Sequence, residues 1–213
     1  MISGCSGANW ISPPGPAAPG LRIGLLGGSF NPAHEGHFQI STVALKRLGL
    51  DYVWWLVAPQ NPLKPRQGMA PLRDRLAGAQ AMTRRHPRFR ATDIEARLGT
   101  RYSVDTIARL QQRFPRLRFV WLMGSDNLET FHRWRNWPKL ARSLPIAVVT
   151  RPASALAPLK AKAAQRFASK RRVASRDFAN AAPPAFVFLD AKRSLARASN
   201  IRARRAMAAA FPS

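Results

Sequence analysis

The chain has 213 residues, 46% hydrophobic and 21% charged, long enough to bury a substantial core and too apolar for disorder to be the default. Its 35 Lys and Arg against 10 Asp and Glu give a formal charge of +25; this attracts nucleic acid, membrane surface or phosphorylated small molecules, unless Arg merely replaces other polar residues on a solvated surface. The single cysteine, Cys5, excludes an intrachain disulfide and a cysteine-based zinc cluster and suits a reducing cytoplasm, and no apolar run reaches the ~18 residues of a membrane helix.

Residues 1–20, rich in Pro, Gly and Ser, lack the basic and apolar regions of a signal peptide and read as a flexible extension ahead of one domain over 21–213. From Leu21 the chain alternates. "LRIGLL" is a short, wholly apolar strand, as expected where both faces of a parallel sheet are covered. His34 to Leu48 reads as a helix with Phe38, Val43, Leu45 and Leu48 near one face, stopped by Gly49. "YVWWLVA" at 52–58 is a second buried strand, and the proline-rich 59–71 a long exposed loop. A helix over "LRDRLAGAQAMTRRH", a strand over "FRATDIE" near 89–95 and a helix over "YSVDTIARLQQRF", with Ser103 as N-cap, come next.

The third clear strand is "LRFVWLM", 117–123, and "DNLETF" begins another helix. "PIAVVT" at 145–150, a basic helical stretch over 155–172, "AFVFLD" at 185–190 and a closing helix from Asn200 to Phe211 complete the chain. The repeated strand–helix–strand order predicts an α/β fold: a Rossmann-like, doubly wound parallel sheet with helices on both faces. Trp54, Trp55 and Trp121 fall inside apolar strands and read as core, whereas Trp134 and Trp137 sit among Arg133, Arg135 and Asn136 and escape deep burial.

Chemistry concentrates at "GGSFNPAHEGH", which follows the first strand. In such a sheet a ligand lies outside the carboxyl ends of the strands. Gly27, Gly28 and Ser29 allow a tight turn with outward amides, and the next helix aims its positive end at the same place, which favours phosphate. His34 and His37, three apart, share nearly one helix face. The zinc-protease pattern requires His-Glu-x-x-His, so "HEGH" has the wrong spacing and no evident third ligand. Structural histidines and phosphate-contacting histidines are the readings that remain beside it.

The stretch resembles the signature of the nucleotidylyltransferase superfamily, G-x-[ST]-F-[DN]-P-x-H-x-G-H, with every fixed position present through to His37. Three further segments resemble bacterial nicotinate-nucleotide adenylyltransferases: "PQNPLKP", "RYSVDT" at 101–106, and "MGSDNLETFHRWRNW" at 123–137, which follows a G-x-D-x-L-x-x-F-x-x-W-x-x-W pattern. The resemblance implies transfer of an adenylyl group from ATP to nicotinate mononucleotide, with Mg²⁺ carried on the ATP, no metal ligands from the protein, and neither nucleic acid nor membrane as partner. It implies that His34 and His37 stabilise charge at the α-phosphorus, and that Gly28, Ser29, Phe30, Lys64 and Asp126 bind ATP. Tyr102, Ser103 and Thr106 would meet the pyridine carboxylate, and Trp134 would stack on the ring, for which an indole face is well suited.

The family's Ser-[SA]-T-x-I-R segment reads "RASNIR" here: Arg197 replaces the first Ser and Ser199 the Thr, leaving Ser199 and Arg202 to hold ATP phosphates. The rival readings are another nucleotidylyltransferase, acting on nicotinamide mononucleotide or phosphopantetheine or transferring a cytidylyl group, and a basic nucleic-acid-binding protein. The segments around Tyr102 and Trp134 argue against the phosphopantetheine and cytidylyl enzymes, and the missing RNA-recognition and zinc-finger signatures argue against a nucleic-acid binder.

Overall fold

The apolar runs form strands in a computed structural model that describes residues 11–60, 67–150 and 160–190. They are β1 (Arg22–Gly28), β2 (Tyr52–Val57), β3 (Phe89–Thr92), β4 (Arg118–Gly124), β5 (Ile146–Thr150) and β6 (Phe186–Asp190). All pair in parallel, in the order β3-β2-β1-β4-β5-β6. This is the doubly wound, Rossmann-like order expected from the sequence, with its switch point between β1 and β4.

Period-two alternation sends Ile23, Leu25, Trp54, Trp121 and Val148 to one face and Leu26, Val53, Trp55, Leu122 and Val149 to the other. The first face is covered by α4 (Ser103–Arg113), α5 (Ser125–Phe131), α6 (Trp137–Ser143) and α7 (Lys162–Arg166), which contribute Ile107, Leu110, Phe131, Leu140 and Ala163. The second is covered by α1 (Glu35–Arg47) and α2 (Leu72–Thr83). Trp54, Trp55 and Trp121 are fully enclosed, as their place in apolar strands requires. Among the described residues no helix is long and apolar enough to cross a membrane.

Several elements differ from the sequence reading for local reasons. The buried stripe of α1 is Gly36, Ser41, Ala44 and Leu45, with Phe38 and Val43 only partly covered; small residues at its centre let the helix lie close to the sheet. The strand at 89–95 stops at Thr92, whose Oγ1 accepts a hydrogen bond from the Ile94 amide at 3.1 Å and so opens a one-turn helix, α3 (Ile94–Arg97). Ser103 is not the N-cap of α4: Tyr102 holds that position and makes no side-chain cap.

The helix begun by "DNLETF" ends at Phe131, and Asn136, in the left-handed region with φ 49°, separates it from α6. Within the basic stretch near 155–172 the described helix is α7, followed by a 3₁₀ turn at Ala168–Lys170. Part of residues 11–20 touches the domain. Ile11 and Ala17 lie against the core, and the Gly20 amide donates to the Arg116 carbonyl at 2.8 Å. The closing helix expected from Asn200 lies outside the described residues.

Gly27 has a packing role. It faces Trp121 across β1 and β4, and a methyl on its Cα would come within 2.6 Å of Trp121 Cη2. Replacing Gly27 by Ala therefore overpacks a site with no room. Urea unfolding should show Gly27→Ala destabilised by about 1–3 kcal/mol.

Candidate active site

The carboxyl ends of β1 and β4 open on the switch point, and both halves of the predicted site begin there. After β1, the left-handed residue of the turn is Phe30, with φ 47°, rather than either glycine. A side chain at positive φ is costly. Here it is held because the Phe30 ring is buried, lying nearly parallel to Trp55 at 5.1 Å and 4.6 Å from His37. Phe30 can therefore meet a ligand only through its backbone. Gly28 ends β1 with its carbonyl accepting from the Ala58 amide at 2.9 Å, and Ser29 is buried beside it.

His34 and His37 bond reciprocally at the start of α1. Nδ1 of His34, the N-cap, accepts from the Gly36 amide at 3.1 Å; Nδ1 of His37 accepts from the His34 amide at 3.2 Å. An accepting Nδ1 carries no proton, so each ring holds its proton on Nε2. The rings lie 3.9 Å apart, centroid to centroid. Two imidazoles at the positive end of a helix, each with Nε2–H as donor, suit a polyanion far better than a cation. Ser41 braces the same turn, donating to the His37 carbonyl at 2.9 Å and accepting from Trp55 Nε1 at 2.7 Å. Among the described residues no group of three His, Cys, Asp or Glu is placed to hold a metal ion.

After β4, Asp126 is exposed in the first turn of α5. Trp134 sits in the turn between α5 and α6, half-buried, with its ring edge-on to Phe131 at 5.3 Å and to Trp121 at 6.1 Å. Trp137 packs edge-on to Phe131 and Phe167 and belongs to the core margin. The neighbour of Trp134, Arg135, lies with its guanidinium 4.6 Å over the Tyr102 ring. The two predicted pyridine segments are thus brought side by side. Ser103 opens α4 there, where first-turn amides and the helix dipole favour a carboxylate.

Thr106, expected beside the pyridine carboxylate, turns its side chain inward. It is fully buried, and its Oγ1 is 2.8 Å from Thr100 Oγ1 and within 3.3–3.4 Å of the Tyr102 carbonyl and Glu95 Oε1. Its place is behind the 98–102 segment. Glu95 was not anticipated at all. Burial pushes its carboxyl up to about 7, partly opposed by the Thr106 hydrogen bond. Arg75 was missed too. It is 4% exposed and donates only to carbonyls, among them Ser29 and Ala58 at 2.7 Å each. The signal was its register with Ala79 and Thr83 on the buried stripe of α2, hidden in an arginine-rich chain. Lys64, Ser199 and Arg202 lie outside the described residues.

A family model described as "Cytidylyltransferase-like" matches residues 25–204. A protein of Parvibaculum lavamentivorans named "Probable nicotinate-nucleotide adenylyltransferase" is 51% identical over 192 residues, covering 87% of this chain and 93% of that relative. One of the same name from Cereibacter sphaeroides is 54% identical over 170 residues, covering 80% and 90%. The chain belongs to the nicotinate-nucleotide adenylyltransferase family. Its fold is also that of the Plasmodium falciparum nicotinic acid mononucleotide adenylyltransferase solved in complex with NaAD. There the TM-score is 0.62 at 14% identity, over 86% of this chain and 83% of that one. The nicotinate-nucleotide adenylyltransferase fold thus places the signature turn and the Trp134 turn on either side of one switch point.

The Glu95 carboxyl has a measurable consequence. Its folded pKa lies above its unfolded value, so the folded state holds the extra proton between roughly pH 4.5 and 7. Stability should fall as pH rises through that window and level off above it. Glu95→Gln, which cannot titrate, should lack this component. The stability of wild type relative to the variant is expected to drop by about 1–3 kcal/mol between pH 5 and pH 8 in denaturant titrations.

Proposed function

We propose that the chain transfers the adenylyl group of ATP to nicotinate mononucleotide, giving deamido-NAD and pyrophosphate. The observation that carries this is the His34–His37 pair, held with both Nε2–H donors at a helix start on the switch point, in a chain of this family. The acceptor phosphate is ionised at neutral pH, so attack requires no general base. A phosphate oxygen of the mononucleotide bonds to the α-phosphorus of ATP in line, and the bond from that phosphorus to the bridging oxygen breaks as pyrophosphate leaves. The work left to the protein is alignment and charge stabilisation.

In this reading His34 and His37 donate from Nε2 to the triphosphate, and the amides at Gly28–Phe30 contact phosphate or ribose. Asp126 lies on the adenosine side, with Lys64, Ser199 and Arg202 on the phosphates. Trp134 covers the pyridine ring, while Tyr102 and Ser103 at the start of α4 receive its carboxylate; Thr106 shapes that start from behind. Mg²⁺ arriving on ATP would neutralise phosphate charge there. Residues 21–213 are proposed to work as one domain. A cytoplasmic setting rests on the phosphorylated substrates and the single cysteine.

Pyrophosphate release from ATP, measured in parallel with nicotinate mononucleotide, nicotinamide mononucleotide and phosphopantetheine, tests the proposal; it should be fastest with the first. Release with phosphopantetheine alone would overturn it. His37→Ala should lower kcat by about 10²-fold, the usual cost of one lost charge-stabilising donor. Trp134→Ala should raise KM for the pyridine mononucleotide about 10-fold while sparing KM for ATP. A rise in the ATP value alone would reject the stacking role.

A further inference from the structure

Arg75 reaches from the second turn's start of α2 into the heart of the turn that follows β1. Its Nε donates to the Ala70 carbonyl at 2.8 Å, one terminal nitrogen donates to the Ser29 and Ala58 carbonyls at 2.7 Å, and the other donates to the Pro59 carbonyl at 2.9 Å. Among the described residues no carboxylate pairs with it. A buried guanidinium satisfied wholly by main-chain carbonyls fixes backbone direction, and it does so here for three separate segments at once. One is the signature turn; the others are the two ends of the proline-rich loop.

The Ser29 carbonyl matters most. In a trans peptide the carbonyl and the following amide point in opposite directions. Holding the Ser29 carbonyl toward Arg75 therefore turns the Phe30 amide away from α2. Phe30 stands at positive φ, a conformation that persists only where its surroundings over-determine it. Trp55 and His37 hold its ring; Arg75 holds the peptide before it. Without Arg75 the Ser29–Phe30 peptide is free to rotate toward an ordinary backbone conformation, taking the amide with it.

We propose that Arg75 is a positioning residue for the nucleoside triphosphate: through the Ser29 carbonyl it sets the direction of the Phe30 amide and so the geometry of the phosphate-binding turn. This rests on the adenylyl-transfer reading for the identity of the triphosphate. Lysine keeps the charge but cannot span four carbonyls with a planar fork.

The test is direct affinity for a non-hydrolysable ATP analogue, measured calorimetrically on the full chain with no acceptor present, for wild type, Arg75→Lys and Arg75→Gln. Thermal midpoints and KM for the pyridine mononucleotide are recorded alongside. Both variants should bind the analogue about 10-fold or more weakly, while KM for the pyridine mononucleotide stays within about two-fold. Wild-type affinity in Arg75→Lys would overturn the proposal. So would equal losses for both substrates that track a lowered thermal midpoint, or failure of both variants to fold, since either outcome assigns Arg75 a purely structural role. Wild-type chain that binds the analogue yet releases no pyrophosphate with any pyridine mononucleotide would sink the proposed reaction and leave the Arg75 comparison intact.

Discussion

The reversal of strand order between β1 and β4 is the constraint from which the rest of the site follows. Parallel pairing makes every strand end on the same edge, and the reversal sends the connections that leave β1 and β4 to opposite faces. The connection after β1 goes to α1, on one face, and carries the paired histidines. The connection after β4 goes to α5 and α6, on the other, and carries Trp134. That the paired histidines and the aromatic turn flank one switch point is thus a property of topology before any ligand is considered.

Local chemistry then sharpens what topology supplies. Each histidine of the pair serves the other's backbone or its own helix, so the rings cap α1 and display a defined tautomer through the same bonds. The strained backbone sits at Phe30, and buried rings on one side with a buried cation on the other hold it there. Near Tyr102, the buried Thr106 bonds to both the buried Glu95 and the partly covered Thr100. In both places buried polar side chains lie beneath backbone or aromatic rings and supply rigidity.

Much of this was legible in the chain itself. Strands such as "YVWWLVA" announce burial on both faces, and "GGSFNPAHEGH" marks the turn at the carboxyl end of the first strand. The glycines pointed to a tight turn; the structure adds that Gly27 makes room for an indole and that Phe30 takes the positive φ. Arg75 escaped because one buried guanidinium cannot be told from the exposed ones in so basic a chain. Glu95 escaped because its environment is assembled from α3, α4 and the segment between them. Thr106 was singled out by the resemblance of its segment, which does not say which way its hydroxyl faces.

The contact of Gly27 with Trp121 reaches further than packing. Trp121 meets Trp134 edge to face, so a central strand, a core indole and the aromatic turn form one continuous column from the middle of the sheet to the crevice. The position of the Trp134 ring is therefore set from the interior of the protein. Residues 27 and 121 are enclosed by the core, so a change in either is felt at the surface turn that carries Trp134 as well as in the interior.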